Sequence, residues 1–196
     1  MNIAVTYPAP GLPPRRAFNV DDIRRMIEAG VLHESENIEL VEGEIVVMAA
    51  KGYAHEMVRQ ALIKAVNPAR TDADIGLEMT IQFSTDILLE PDVAVFPLGR
   101  LRRSDAGFVT INEGDCSLII EVSVSSLAYD KGRKAALYAR LGVREFWVID
   151  ANERRTFVHT GPSGEGWSSI VERSADEVLT TPALSDFAFK LSDISL

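Results

Sequence analysis

The stretch "LIIEVSVSSLAYDKGRKAALYARLGVREFWVID", residues 118–150, decides the fold. It begins with an apolar run typical of a buried strand and continues through residues 129–142 with the spacing of a helix. It ends in "REFWVID", residues 144–150, which is a second apolar strand. Two buried strands joined by a helix are typical of a sheet covered by helices. The pattern predicts an α/β (mixed α+β) protein with a central mixed sheet flanked by helices.

Glu121 stands in the middle of the first apolar strand. Because an unpaired buried carboxylate is costly, this glutamate is expected to be protonated, paired with a basic side chain, or bound to a cation. Alternation places Ile119, Glu121 and Ser123 on one face of the strand. That face becomes polar toward the carboxyl end of the strand, where sites in open sheets usually lie.

Asp92 is the first candidate partner for Glu121. It follows Pro91 at the start of the apolar strand in "EPDVAVF", residues 90–96. An aspartate at this position also fits a simpler role as an acceptor of backbone hydrogen bonds in a turn. Two carboxylates from neighbouring strands would make a hard, oxygen-rich site suited to Mg²⁺ or Mn²⁺. The spacing alone leaves open whether the two acids meet.

The helix that follows Glu121 carries a candidate lysine. Asp130, Lys134 and Tyr138 are four residues apart and share one helix face. Lys134 is either half of a surface ion pair or a lysine that reaches back to the Glu121 strand, where it would orient a water or neutralise a phosphate. Lys131 faces elsewhere on the helix.

His55 lies early in a second predicted helix and is a candidate general base or phosphate donor. An ordinary core or surface histidine is the alternative. His33 and His159 have no obvious acidic partners in the sequence.

The rest of the sequence predicts the domain organisation and the remaining helices and strands. Residues 1–17 contain four prolines and predict an extended arm, and residues 18–196 predict a single domain. The further predicted elements are helices over 18–30 (capped by Asn19 and ended by Gly30) and 53–66, a hairpin over 38–49 turning at Glu42-Gly43, strands over 74–84 and 86–96, a loop over 98–115, and a closing hairpin formed by "RRTFVHT" and "WSSIVE".

Composition limits the partners. The 196 residues carry a formal net charge of −9, which opposes non-specific adhesion to nucleic acid or to an anionic membrane. Cys116 is the single cysteine, the N-terminus has no secretory pattern, and no apolar run approaches the roughly 20 residues that span a bilayer. A reducing, cytoplasmic compartment is therefore expected, without membrane association. Three basic clusters either line a DNA groove or form solvated faces: Arg100/Arg102/Arg103, Lys131/Arg133/Lys134/Arg140/Arg144 and Arg154/Arg155.

Several of these segments together resemble a known family. In order, "IELVEGEIVVMA", His55, "PDVAVF" and the 119–150 block are similar to the Uma-type family of putative restriction endonucleases, within the PD-(D/E)XK nuclease superfamily. The resemblance implies a restriction-endonuclease-like core, a Mg²⁺ or Mn²⁺ cofactor, hydrolysis of phosphodiester bonds in DNA, and a homodimer.

The resemblance also implies roles for five residues. Asp92 matches the family's first acid and Glu121 its second, so both are expected to bind the metal and to be catalytic. Lys134 matches the lysine that follows the Glu121 strand, His55 the helical histidine, and Glu39 the acid of the first hairpin.

One departure from the superfamily pattern concerns Ser123. The superfamily places lysine at that position, two residues after the second acid, and here Lys134 on the following helix is the expected substitute.

Three functions remain open at this point. The chain is a divalent-metal-dependent endonuclease, or a non-catalytic dimeric module of the nuclease fold with a binding or regulatory role. A glycosidase using Asp92 and Glu121 is disfavoured because no aromatic cluster stands beside either acid. A homodimer is also predicted from the residues, because Phe146, Trp147 and Phe157 are expected to exceed what one layer can bury.

Overall fold

The computed structural model describes residues 5–6, 13–33, 35–164 and 166–196. The strands are β1 (Val5–Thr6), β2 (Arg15–Arg16), β3 (Ile38–Val41), β4 (Glu44–Val47), β5 (Ala73–Leu77), β6 (Ile81–Gln82), β7 (Leu88–Leu89), β8 (Val93–Pro97), β9 (Arg102–Arg103), β10 (Val109–Thr110), β11 (Leu118–Ser123), β12 (Glu145–Asp150), β13 (Arg155–Ser163), β14 (Gly166–Ser174), β15 (Leu179–Thr181) and β16 (Leu184–Phe189). The helices are α1 (Val20–Glu28), α2 (Tyr53–Val66), α3 (Leu127–Tyr129) and α4 (Ala135–Arg140), with a π-helical turn at Asp130–Lys134 between the last two and a 3₁₀ turn at Leu191–Asp193. In these described ranges, no helix is long and apolar enough to cross a membrane.

The chain forms two compact units. The first comprises the residues up to Ala50 together with Thr80–Glu90 and Arg102–Thr110, and the second comprises Lys51–Met79, Pro91–Leu101 and Ile111–Leu196. The expectation of a single domain over residues 18–196 stays a prediction.

The first unit is built on a six-stranded sheet in the order β4-β3-β7-β6-β10-β9. Helix α1 begins as the sequence predicts, because the Asn19 side chain accepts from the Asp22 N–H while Asp22 caps the Asn19 N–H in return. The β3–β4 hairpin turns at Glu42 (φ +53°) and Gly43 (φ +81°), which is the left-handed backbone of a tight hairpin turn. Val20 and Ile23 of α1 pack in one buried cluster with Leu40 and Leu88.

The second unit is built on a six-stranded mixed sheet in the order β14-β13-β12-β11-β8-β5. Its one parallel pair is β11 with β12, and the remaining pairs are antiparallel. A parallel pair needs a crossover connection, and the helical segment from α3 to α4 supplies it. The predicted strand–helix–strand block is confirmed.

Both faces of this second sheet are covered. On one face, α2 and the β15–β16 hairpin pack against the sheet in one apolar cluster that includes Val58, Leu62, Trp147 and Phe187. On the other face lies α4, where the Tyr138 ring is 4.9 Å from that of Phe146. The predicted mixed sheet flanked by helices is therefore confirmed.

Two predicted strands are divided in the structure. The strand expected over 74–84 is interrupted at Glu78, whose φ is +46°, and yields β5 and β6. The strand expected over 86–96 is interrupted before Asp92 and yields β7 and β8, because Pro91 has no N–H to donate. In both cases the halves belong to different sheets. The predicted loop over 98–115 also contains β9 and β10, and the β15–β16 hairpin was not predicted.

The expectations for the arm and for the dimer face have different outcomes. Within the predicted arm, β1 and β2 pair antiparallel, while residues 1–4 and 7–12 lie outside the described residues. The predicted apolar face is wrong, since Phe146 and Trp147 are 0% exposed and Phe157 is 4% exposed within this one chain. The layers on both faces of the second sheet provide the cover that the sequence pattern did not reveal.

Candidate active site

Asp92 and Glu121 occupy neighbouring positions across two paired strands of the second unit. Strand β8 runs antiparallel to β11, and the pairing of Val93 with Ile120 places Asp92 opposite Glu121. Asp92 Oδ2 accepts the N–H of Val122 at 2.8 Å, which fixes the carboxylate against β11. Both acids are buried. The predicted placement of these acids on adjacent strands is found, and their sharing of one cation stays a prediction.

The other oxygen of Asp92 faces basic groups. His55 Nε2 lies 3.2 Å from Asp92 Oδ1, and Lys51 Nζ lies 3.7 Å from the same oxygen. Burial opposes ionisation of Asp92, but His55, the Val122 N–H and Lys51 outweigh it, so the net effect lowers the pKa of this carboxyl. These partners therefore favour the anionic form of Asp92.

His55 occupies the first turn of α2 and is itself buried. Its Nδ1 has no hydrogen-bond partner among the described residues, and the nearest carboxylate oxygen is Glu56 Oε1 at 3.7 Å. The predicted histidine thus stands beside the predicted first acid, with one ring nitrogen directed to that acid.

A ring of alternating charges surrounds Asp92 on the α2 side. Lys51 contacts Glu78 as well as Asp92. Arg59, one turn after His55, bonds Glu78 at 3.0 Å and Glu56 at 2.7 Å. Sequence reasoning missed Lys51 and Arg59. Arg59 lies four residues after His55, so helical spacing could have indicated that the two share one face of α2. Nothing in the sequence relates Lys51 to Asp92.

Glu121 is compensated by the helical segment that follows it. Its Oε1 accepts from Lys134 Nζ at 2.9 Å and from the Tyr138 hydroxyl at 2.9 Å. The Lys134 side chain is only 2% exposed. Of the two options for Lys134, the structure shows the lysine that reaches back to the Glu121 strand.

Lys131 is confirmed to face elsewhere. Its ammonium lies 3.3 Å from the centroid of the Phe157 ring. Asp130 is likewise not directed at Lys134, because Asp130 Oδ2 accepts the hydroxyls of Ser123 at 2.6 Å and Ser126 at 2.5 Å. Ser123, two residues after Glu121, is thus a hydrogen-bond donor to Asp130.

Glu39 lies on β3 of the first unit. It is buried, and its Oε1 accepts the N–H of Glu90 at 3.1 Å. Its catalytic role stays a prediction. The other two histidines bond locally: His33 Nδ1 to the Ser35 hydroxyl at 2.8 Å, and His159 Nδ1 to the Phe146 carbonyl at 3.1 Å.

The basic clusters are partly engaged within the second unit. Arg154 donates to the carbonyls of Leu191 and Ile194, and Arg155 pairs with buried Asp150. Lys134 is buried and bonded to Glu121. These side chains are bonded within the protein, so the full set of predicted basic residues does not form one solvated patch.

The donor chemistry of the two acids fits a hard divalent cation. Among the described residues, no group of three or more His, Cys, Asp and Glu side chains is placed to hold a metal ion. Mg²⁺, however, is commonly bound through one or two carboxylates together with waters and substrate phosphates. That Asp92 and Glu121 supply such a pair stays a prediction.

Comparison with known proteins gives two findings. The family model of Uma2, described as a putative restriction endonuclease, matches residues 20–192. Among solved structures, the crystal structure of a putative nuclease belonging to DUF820 from Anabaena variabilis is similar to this chain with a TM-score of 0.67 and 22% sequence identity, covering 90% of this chain and 96% of that one. At that identity the likeness shows the fold alone. No curated protein gives a significant match.

Proposed function

The chain belongs to the Uma2 family of putative restriction endonucleases, and on this premise we propose that it is a divalent-metal-dependent endonuclease that hydrolyses phosphodiester bonds in DNA. Family membership supports a nuclease function in general terms. The metal dependence, the DNA substrate and the residues that act are the finer parts of the proposal.

The observation that carries the proposal is the placement of three predicted residues on neighbouring elements. Asp92 lies opposite Glu121 across β8 and β11, and Lys134 Nζ lies 2.9 Å from Glu121 Oε1. Two acids and a lysine drawn from separated parts of the sequence are the groups that phosphodiester hydrolysis needs, namely metal ligands and a cationic donor. A purely structural Glu121 would need its lysine but not the second acid.

Each residue has a distinct proposed role. Asp92 and Glu121 would hold Mg²⁺ or Mn²⁺, which when bound would activate a water and neutralise charge on the phosphate. Lys134 would donate to the attacking water or to a phosphate oxygen. His55, beside Asp92, would donate to a phosphate oxygen or accept a proton. Glu39 is kept in the proposal as a further catalytic acid.

Cleavage of a supercoiled plasmid tests the proposal. We expect nicking by the wild type with Mg²⁺ or Mn²⁺ but not with EDTA, and loss of turnover in Asp92→Asn and Glu121→Gln. Lys134→Met should keep metal affinity, measured by Mn²⁺ electron spin resonance, while cleavage slows by about 10²-fold or more. Lys131→Met is the matched control, since Lys131 contacts Phe157 rather than Glu121.

The non-catalytic alternative has one observation in its favour. Both acids already have positively charged or hydrogen-bonding neighbours from the chain itself: His55 and Lys51 at Asp92, and Lys134 at Glu121. A binding module would retain such pairs without turnover. Wild-type protein that binds Mn²⁺ weakly and cuts no DNA with either ion would make this alternative the better one.

We further propose a homodimer and a cytoplasmic location, with DNA bound through local basic residues. The apolar side chains available for a dimer contact differ from those first expected: Ile170 is 57% exposed and Val171 is 38% exposed, both on β14 at the edge of the second sheet. Light scattering at micromolar concentration tests the dimer, and a monomeric mass would contradict it.

A further inference from the structure

The helical segment after β11 changes its hydrogen-bond pattern at Lys134. Asp130–Lys134 forms a π-helical turn between α3 and α4. A π turn holds about one residue more than an α turn, so it shifts the following side chains by about 100° around the axis. The turn therefore decides which face of the segment Lys134 occupies.

A set of three polar side chains, which we name the Asp130 latch, joins this turn to β11. It consists of Ser123, Ser126 and Asp130. Ser123 and Ser126 both donate their hydroxyls to Asp130 Oδ2, at 2.6 and 2.5 Å. Ser123 is the last residue of β11 and is fully buried, and Asp130 is the first residue of the π turn. The latch thus ties the strand that carries Glu121 to the turn that carries Lys134.

We propose that the Asp130 latch is a positioning device that holds the π turn so that Lys134 reaches Glu121. Its catalytic consequence rests on the proposed nuclease function. It also gives Ser123 a role at the position where the superfamily has lysine: the ammonium comes from the following helix, and the serine at the original position anchors that helix.

The way Asp130 is bonded indicates that it works through hydrogen-bond geometry. Both hydroxyls meet the same oxygen, Oδ2, while Oδ1 is buried without a hydrogen-bond partner among the described residues. An asparagine with its carbonyl oxygen at the Oδ2 position would accept both hydroxyls. Asp130→Asn should therefore preserve the latch, whereas Asp130→Ala should abolish it.

Chemical labelling of lysines measures the latch without any need for activity. A brief reaction with an amine reagent, quantified by peptide mass spectrometry, compares buried Lys134 with exposed Lys64 and Lys131. In the wild type we expect Lys134 to react at least about 10-fold more slowly than Lys64. Ser123→Ala, which removes one bond to a charged group, should raise the Lys134 rate about 10-fold, and Asp130→Ala should raise it further. Asp130→Asn should stay within about twofold of the wild type, since it keeps both bonds.

Two labelling results would overturn the proposal. One is an unchanged Lys134 rate in both Ser123→Ala and Asp130→Ala. The other is an Asp130→Asn rate equal to that of Asp130→Ala, which would show that charge, not geometry, holds the turn. Circular dichroism checks that each variant is folded. If Asp130→Ala does not fold, the Lys134 labelling rate of Ser123→Ala alone decides whether the latch positions Lys134.

The cleavage assay adds the functional readout. Ser123→Ala should lower kcat while KM for DNA and Mn²⁺ affinity stay within about twofold, and Asp130→Asn should recover most of the rate lost in Asp130→Ala. If Ser123→Ala instead lowered the Mn²⁺ affinity and left kcat unchanged, the result would contradict a role of the latch in positioning Lys134. A wild type that cuts no DNA would defeat the proposed function alone, because the labelling result would still decide the latch.

Discussion

Replacing Lys134 with methionine should destabilise the second unit by about 3–5 kcal/mol, the usual cost of removing one partner from a buried ion pair. The side chains of Lys134 and Glu121 are 2% and 7% exposed, so water cannot replace the lost ammonium. Methionine fills most of the volume of the lysine stem, which keeps the cavity contribution small. The Tyr138 hydroxyl still donates to Glu121 Oε1, so the loss should not exceed this range.

Urea unfolding followed by tryptophan fluorescence measures this loss. The chain has two tryptophans, Trp147 and Trp167, and both lie in the second unit. Lys131→Met is the matched control and should cost about 0.5–1 kcal/mol, the value of an exposed cation–π contact. Adding Glu121→Gln to Lys134→Met should recover much of the lost stability, because a neutral amide can remain buried beside the Tyr138 hydroxyl. A cost below about 1 kcal/mol for Lys134→Met, or no recovery in the double variant, would refute the buried-pair reasoning.

Three further predictions concern groups away from the two acids. Burial raises the pKa of the Cys116 thiol far above its ordinary value, so iodoacetamide at pH 8 should label Cys116 only after denaturation; labelling of native protein would contradict this. Burial also lowers the pKa of His159, so the native state takes up its proton later than the unfolded chain as pH falls. Its contribution to the free energy of unfolding should be present above about pH 6.5 and be lost below it, and His159→Gln should show a shallower decline between pH 7 and 5. Gly43→Ala should cost about 1–3 kcal/mol, because φ is +81° and the new Cβ would lie 2.8 Å from that of Ala17. Gly107→Ala has a similar φ but open space around it, so its melting temperature should fall less.

Local patterns predicted the elements that are regular over their whole length. The α1 cap at Asn19 and the turn at Glu42-Gly43 follow from side-chain and backbone preferences within four residues, and both are found. The same holds for α2, whose predicted and observed bounds coincide at Tyr53–Val66. Glu121 and Lys134 are only 13 residues apart and belong to one strand–helix block, so their pairing was also within reach of a sequence pattern.

Features set by tertiary structure were beyond such patterns. The interruptions at Glu78 and before Asp92 send the halves of two predicted strands into different sheets, although the apolar alternation continues through both. Lys51 stands next to Asp92 without any period that relates them. The burial of Trp147 depends on the unpredicted β15–β16 hairpin, whose Phe187 ring lies 5.6 Å from it. The burial of Phe146 and Phe157 depends on the helical segment on the other face, through Tyr138 and Lys131.

The partners of Glu121 explain why an acid can stand in an apolar strand. Its charge is met by Lys134, its oxygen is bonded by Tyr138, and Asp92 is held separately by His55, Lys51 and the Val122 N–H. Each acid is therefore compensated by its own partners, one set from α2 and its preceding loop and the other from the helical segment after β11. The negative charges of the two carboxylates are thus balanced separately, although their positions neighbour each other across β8 and β11. A divalent cation that bound both acids would compete with Lys51 at Asp92 and with Lys134 at Glu121. Under the proposed function, removal of Lys51 should therefore raise metal affinity, whereas removal of Lys134 should lower turnover, though less than the loss of either acid.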